Sequence, residues 1–351
     1  MTVTAVASTT HEEIYRVEEA SAGLLGFIAI HSTRLGPAAG GLRMRPYASE
    51  DEALTDVQRL SEGMTYKNAA AGLALGGGKA VIIGDPARDK SPDLLRAFAR
   101  AIEGLDGRYI TAEDMGMSPA DMAILAEETR FAAGLADGAF ASGDPSPVTA
   151  RGIFNAICTT RAHKHGSRDL AGVTVAVQGL GHVGWYLCQL LHAAGAKLVV
   201  TDIDAARVEQ AIEAFGALAM PLGEIYSAKA EVFAPCAIGG ILNSQTIPQL
   251  KAEIVAGGAN NQLATEADAA ALHARGILYA PDFVANGGGI INVATEILRI
   301  EDRKGFVAEK LQALDETMAS ILIQAEAADV SPAEMAIATV QARMAGSSKA
   351  A

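Results

Sequence analysis

Three features of this 351-residue chain have residue types and spacing suited to chemistry. They are a glycine triplet followed by an acid, two lysines set among small residues, and an aspartate at the end of a strand pattern. The triplet is Gly179-Leu180-Gly181-His182-Val183-Gly184, preceded by the apolar run Val-Thr-Val-Ala-Val-Gln and followed by a helical pattern and a second apolar run ending at Asp202. Gly179 permits a tight turn, Gly181 lets the backbone approach a pyrophosphate, and Gly184 allows a helix to pack closely on a strand. The helix N-terminus offers free N–H groups to phosphates. Asp202 lies about 20 residues on, where a partner for a ribose 2′-hydroxyl belongs. A tight turn that binds nothing is the bland alternative, and the strand–turn–helix–strand context weighs against it.

Lys67 lies in Gly63-Met-Thr-Tyr-Lys67-Asn-Ala-Ala70, and Lys79 follows Gly76-Gly77-Gly78. Lysines are ordinarily solvated surface charges. Small and apolar neighbours on both sides imply partial burial here, and a desolvated ammonium near another cation becomes a base usable near neutral pH. The glycine run before Lys79 is not a phosphate loop, because Leu73 and Ala80 stand where glycine and Ser/Thr are required. Asp114, in Thr111-Ala112-Glu113-Asp114, ends a strand pattern. That position suits proton transfer over a cleft, and a turn-capping role is equally open from the segment alone. A dinucleotide unit, two crowded lysines and a strand-end carboxylate together suggest hydride transfer with acid–base assistance. A hydroxy-acid dehydrogenase would need a catalytic His beside an Arg, and none of the seven histidines has that setting.

The elements that must position these residues alternate between strand and helix, which predicts an α/β fold. Residues 1–10 are expected to fray. Residues 26–32 read as a strand, 35–41 as a Pro/Gly-rich turn, and 49–64 as a helix capped by Ser49. Strands are expected at 80–83 and 108–111. Helices are expected from Ser91-Pro92 to residue 105 and from Ser118-Pro119 to about residue 130. Residues 134–147 are small and polar and read as an inter-domain hinge, followed by a helix over 149–165. Short strands at 232–234, 254–256 and 277–279 each end in small-residue loops, where open α/β sheets bind ligands. From residue 290 the chain reads as helical, with a break at 329–332 and a disordered tail from 346. Domains are expected at 1–135, with residues 331–351 packing back on it, and at 148–330.

Hydrophobic residues make up 50% of the chain but no uninterrupted run of about 18 appears, so no membrane association is expected. The N-terminus lacks the features of a secretory signal. Cys158, Cys188 and Cys236 form no Cys-x-x-Cys pattern, which points to a reducing compartment and to no metal site. A net charge of −13 disfavours nucleic-acid binding. A cytoplasmic protein with a small-molecule partner is the expectation.

The sequence resembles the glutamate/leucine/phenylalanine/valine dehydrogenase family along nearly its whole length. The segments that carry the resemblance are Leu35-Gly-Pro-Ala-Ala-Gly-Gly41, Gly63-Met-Thr-Tyr-Lys-Asn-Ala-Ala70, Gly76-Gly-Gly-Lys79 and Thr111-Ala-Glu-Asp114. In the second half they are the glycine turn, Phe233-Ala-Pro-Cys236, Ala259-Asn-Asn261 and Ala280-Pro-Asp-Phe-Val284. The resemblance implies an N-terminal α/β domain with a mixed sheet, a C-terminal Rossmann-type domain and an active-site cleft between them. It implies reversible oxidative deamination of an L-amino acid to its 2-oxo acid and ammonia. Lys67 would hold the substrate carboxylate near the Gly40-Gly41 backbone, Lys79 would activate water, and Asp114 would shuttle protons. Asn261 and Asn286 would contact substrate or nicotinamide ribose, and Thr149 the nicotinamide amide, with Ala237 also at the cofactor. Two lysines in one pocket would depress each other's pKa. Asp202 would repel a 2′-phosphate, which favours NAD over NADP. Ala39 carries no charge where glutamate-type members have lysine, so an apolar side chain is expected, lined by Ala39, Ala112, Ile290 and Val293. Leucine and other branched-chain substrates are favoured, with phenylalanine next. A non-catalytic NAD-binding regulator is the alternative of another class. Gly258 and Gly287 depart from the family's usual alanine and would loosen the nicotinamide site. A homo-oligomer is implied.

Overall fold

The computed structural model describes residues 1–347 and divides into two compact units. The first comprises Met1–Asp144, Asn292–Phe306 and the chain from Gln341; the second comprises Pro145–Ile291 and Val307–Val340. Residues 292–306 therefore belong with the N-terminal part of the chain. Within the chain from residue 331, the part up to Val340 groups with the second unit and the part from Gln341 with the first.

The first unit holds β1 (Thr2–Ala5), β2 (Glu13–Glu19), β3 (Leu24–Ser32), β4 (Ala38–Arg45), α1 (Glu50–Ala70), β5 (Gly76–Ile83), α2 (Pro92–Glu103), β6 (Tyr109–Glu113) and α3 (Pro119–Ala126). Its mixed sheet has the order β1-β2-β3-β5-β4-β6. β4 runs parallel to β5 and β6, and β3 runs antiparallel to β5. Serine begins each helix: Ser49, Ser91 and Ser118 each accept a hydrogen bond from the backbone N–H three residues on. One core lies on the α2 face around Phe98, Tyr109 and Leu42, and a smaller one lies on the α1 face around Ala53, Val57 and Val81.

The second unit holds α4 (Ser146–His165), β7 (Thr174–Gln178), α5 (His182–Ala193), β8 (Lys197–Thr201), α6 (Ala205–Phe215), β9 (Leu218–Ala219), β10 (Val232–Pro235), β11 (Ile254–Val255), α7 (Glu266–Ala274), β12 (Leu278–Tyr279) and α8 (Asp282–Ala285). Three further helices, α9 (Gly288–Ile297), α10 (Arg303–Ala328) and α11 (Pro332–Ser347), are each shared between the two units. The sheet is parallel throughout, in the order β12-β11-β10-β7-β8-β9. The order reverses between β7 and β10, the switch point where dinucleotides bind in this architecture.

Several local expectations are corrected. Residues 2–5 are not frayed but form β1, whose pairing with β2 is a non-local contact that a short exposed stretch does not announce. The turn expected over 35–41 ends at Pro37, because β4 begins at Ala38 and carries Gly40 and Gly41 inside it. Likewise Gly76, Gly77 and Gly78 lie within β5 rather than before it. These glycines mark close backbone approach, not turns. A Cβ on Gly40 would stand 1.9 Å from the Gly78 carbonyl oxygen, and one on Gly77 would stand 2.2 Å from the Thr65 nitrogen. α1 runs on to Ala70, whereas α3 stops at Ala126. The C-terminal helical stretch is interrupted at 298–302 as well as at 329–331. Gly346 and Ser347 complete α11, and the rest of the tail expected to be disordered lies outside the described residues.

Candidate active site

The chemistry-bearing residues of the first unit converge on the sheet face that α1 covers. Strand alternation places Gly41 and Arg43 of β4, Lys79 of β5, and Ala112 of β6 on that side, with Asp114 just beyond the strand. Lys79 is 6% exposed, and its Nζ lies 2.7 Å from Asp114 Oδ2. Gly41 faces the pair: a Cβ there would be 2.7 Å from Asp114 Cβ and 3.2 Å from Lys79 Nζ. The Tyr109 hydroxyl donates to the Gly40 carbonyl at 2.9 Å, which fixes this stretch of backbone from the opposite face. Lys67, half-buried, sits in the last turn of α1, where a cation is favoured by the helix dipole. Because Thr65 rests on Gly77, α1 comes down on the glycine stretch that ends in Lys79.

Burial pushes the Lys79 ammonium below its ordinary range; Asp114 opposes this and the Arg43 charge adds to it. For Asp114, burial alone would raise the carboxyl, but the charges of Lys79 and Arg43 outweigh it and bring it down to about 2. Arg43 Nε lies 3.1 Å from the same Asp114 oxygen, and its NH1 lies 3.2 Å from Asp56 Oδ2. The leading cationic neighbour of Lys79 is thus Arg43, where the sequence suggested Lys67. Sequence reasoning missed Arg43 because it ended the glycine segment as a turn at residue 41. Extending the strand by two residues puts Arg43 on the same face as Gly41.

Of the residues expected to line a side-chain pocket, Ala39 is fully buried and offers no open surface, whereas Ala112 and Val293 each keep 8% exposure. A second missed residue is Glu296, on α9. Its Oε2 accepts hydrogen bonds from the Gly134 and Ser142 backbone N–H groups, both at 2.9 Å, and from Ser142 Oγ at 2.7 Å. Asn292 and Arg303 donate to the Ser142 carbonyl. The segment read as a hinge is therefore tied down over 134–142.

In the second unit the glycine turn follows β7. Gly179 has φ +97°, and a Cβ on it would meet Ala237 Cβ at 2.8 Å. A Cβ on Gly184 would lie 2.0 Å from the Gly179 carbonyl oxygen. Gly181 instead faces open space, with only Arg207 NH1 within reach at 3.9 Å. It precedes α5, whose first residue is the exposed His182, and no side chain caps the N-terminus. Two glycines thus shape the turn, while the third leaves its backbone open to a phosphate, a cradle that fits a dinucleotide. Asp202 follows β8, and its carboxylate accepts from the Leu180 N–H at 2.5 Å and the Asp204 N–H at 2.8 Å. Val183 is half-buried in the first turn of α5, and Ala237 is exposed after β10.

Thr149 Oγ1 donates to the Pro145 carbonyl, and a Cβ on Gly289 would meet Thr149 Oγ1 at 2.8 Å. Asn261 is exposed with φ +51°, and Asn286 is buried with its Oδ1 unpartnered. Ile290 is 8% exposed. The glycines at 258 and 287 do not leave room. Ile153 Cδ1 and Leu314 Cδ2 respectively come within 2.9 Å of where a Cβ would stand, so neighbours have closed over both positions.

Family models match both halves of the chain. Residues 10–131 match the Glu/Leu/Phe/Val dehydrogenase dimerisation domain, and residues 142–210 and 202–350 match the glutamate/leucine/phenylalanine/valine dehydrogenase model. The chain belongs to this family. It is an enzyme, an oxidoreductase acting on the CH–NH2 group of an amino acid, in a family that uses NAD(P). It is 53% identical over 287 residues to a leucine dehydrogenase of Geobacillus stearothermophilus, covering 82% of this chain and 78% of that protein. It is 49% identical over 292 residues to a phenylalanine dehydrogenase of Lysinibacillus sphaericus, covering 82% of this chain and 77% of that one. The crystal structure of L-tryptophan dehydrogenase from Nostoc punctiforme superposes with a TM-score of 0.83 at 40% identity, covering 97% of each chain. Among the described residues, no helix is long and apolar enough to cross a membrane.

Proposed function

We propose that this dehydrogenase carries out NAD-dependent, reversible oxidative deamination of an apolar L-amino acid, with leucine and other branched-chain substrates preferred. The observation that carries the reading is the buried Lys79 ammonium held 2.7 Å from Asp114 Oδ2, with its proton affinity lowered. When bound, the nicotinamide supplies the acceptor for the hydride leaving the substrate Cα. Neutral Lys79 then takes a proton from the water whose oxygen bonds to the imine carbon. Asp114 moves protons to the nitrogen as the C–N bond breaks and ammonia leaves. Lys67 holds the substrate carboxylate beside the Gly40–Gly41 backbone, and Ala112, Ile290 and Val293, which keep some exposure where Ala39 keeps none, surround the side chain. Asn261, Asn286 and Thr149 orient the reacting groups. The glycine turn with Leu180, His182, Val183 and Ala237 takes the dinucleotide. Asp202 supplies acceptors for ribose hydroxyls and repels a 2′-phosphate, which supports NAD.

Support for leucine comes from the 53%-identical leucine dehydrogenase and from the uncharged Ala39. Phenylalanine is the second reading, favoured by the 49%-identical phenylalanine dehydrogenase, whereas Ala112 with Ile290 and Val293 weighs towards leucine. One methylene in an apolar pocket discriminates by only about 1–3 kcal/mol. The family model for residues 10–131, a dimerisation domain, supports a homo-oligomer. The test is reduced-cofactor absorbance with a panel of L-amino acids and both dinucleotides. The highest kcat/KM is expected with leucine and NAD; no turnover with leucine, valine or phenylalanine refutes the reading.

A further inference from the structure

Behind the Lys79–Asp114 pair stands a charge that the proposed proton transfers do not use. Arg43 Nε and Lys79 Nζ both reach Asp114 Oδ2, at 3.1 and 2.7 Å. Arg43 is itself held from behind: its NH1 is 3.2 Å from Asp56 Oδ2, which also accepts from the Tyr47 hydroxyl at 2.7 Å. Arg45 approaches the same Asp56 oxygen at 3.8 Å and pairs with Glu52 at 3.0 Å. The Arg43 side chain is only 14% exposed, so this charge is poorly screened by solvent.

We propose that Arg43 is a positioning residue that fixes the protonation states of the Lys79–Asp114 pair. Its guanidinium shares the Asp114 oxygen with Lys79, so the carboxylate keeps a cationic partner when Lys79 gives up its proton. The inference rests on the reading of Lys79 as the base. An isolated Lys–Asp pair has a competing outcome, in which the aspartate takes the lysine's proton and both become neutral, leaving no anion to move protons. Arginine removes that outcome because it stays charged throughout the working pH range. Both donors contact one oxygen, so Arg43 also repels the Lys79 ammonium at short range and favours its neutral form.

The charged groups that act on Lys79 are Asp114 beyond β6, Arg43 on β4 and Asp56 on α1. Arg43 and Asp56 should therefore act with opposite signs. Arg43→Gln removes a positive charge and makes Lys79 harder to deprotonate. Asp56→Asn removes a negative charge, keeps an acceptor for Tyr47, and makes Lys79 easier to deprotonate.

The test is the pH dependence of kcat/KM for oxidative deamination in the full-length enzyme, comparing the parent with Arg43→Lys, Arg43→Gln and Asp56→Asn. Arg43→Gln is expected to move the acid limb up by about one pH unit, and Asp56→Asn to move it down by about half a unit. Arg43→Lys is expected to keep the limb near the parent's. Limbs unmoved in both charge-removing variants, or moved in the same direction, overturn the proposal, even if rates fall uniformly. If Arg43→Gln does not fold, Asp56→Asn decides: a limb that stays or rises overturns the proposal. Absence of turnover in the parent would instead refute the functional reading itself.

Discussion

Replacing Gly41 with alanine adds one methyl group beside the residues assigned to proton transfer. The added Cβ would lie 2.7 Å from Asp114 Cβ, 2.8 Å from the Glu113 carbonyl oxygen and 3.2 Å from Lys79 Nζ. An ordinary carbon–carbon contact is about 3.5 Å, so one partner must move by about 0.8 Å. The Glu113 carbonyl belongs to β6, which is paired with β4 at Gly41↔Ala112 and has little freedom to withdraw. The Asp114 side chain is the softer neighbour, and moving it by that amount breaks its 2.7 Å contact with Lys79. A misplacement near 1 Å costs about 10²-fold in rate, equivalent to about 2.7 kcal/mol in the barrier. Overpacking costs about 1–3 kcal/mol of stability. The glycine turn belongs to the second unit and is untouched. The expected result for Gly41→Ala is kcat/KM with leucine reduced about 100-fold, a lowered Tm, and an NAD dissociation constant within about twofold of the parent's. These follow from steady-state kinetics, thermal unfolding and fluorescence titration. Activity within about threefold of the parent's would show that the Gly41–Asp114–Lys79 packing does not govern the reaction.

Two further outcomes are expected. Lys79→Ala should lower turnover by at least about 10²–10⁴-fold, the usual contribution of a positioned acid–base group, while NAD binding measured by fluorescence is retained; near-normal turnover would mean that another group is the base. Glu296→Ala removes the carboxylate that Gly134, Leu135 and Ser142 bond to and should cost about 1–3 kcal/mol, with faster amide exchange confined to residues 134–142. Unchanged exchange there would show that Asn292 and Arg303 alone secure the segment.

Patterns contained within a short window were legible in the sequence. Ser49, Ser91 and Ser118 each announced a helix start because capping is a contact between residues three apart. The turn from Gly179 to Gly184 was legible for the same reason, since strand, turn and helix N-terminus follow one another directly. The residue types at Lys67, Lys79 and Asp114 indicated acid–base chemistry, but not which of them touch.

Tertiary structure decided what depends on residues far apart in the chain. A glycine pair reads alike as a turn or as a strand that another backbone must approach. Pairing with β5 and β6 made residues 38–45 a strand, and the Gly78 carbonyl, 1.9 Å from where a Cβ on Gly40 would stand, is why that strand carries glycine there. That strand carried Arg43 to an aspartate 71 positions away, and Glu296 reached Gly134 across 162 positions. The sequence determined the kinds of group available, because side-chain chemistry and local backbone preference are properties of single residues and near neighbours. Which ammonium is buried, which oxygen it shares and which cation stands behind it were decided by non-local packing. Burial and a few ångströms of separation set the strength of a charge, and neither is encoded within a short window.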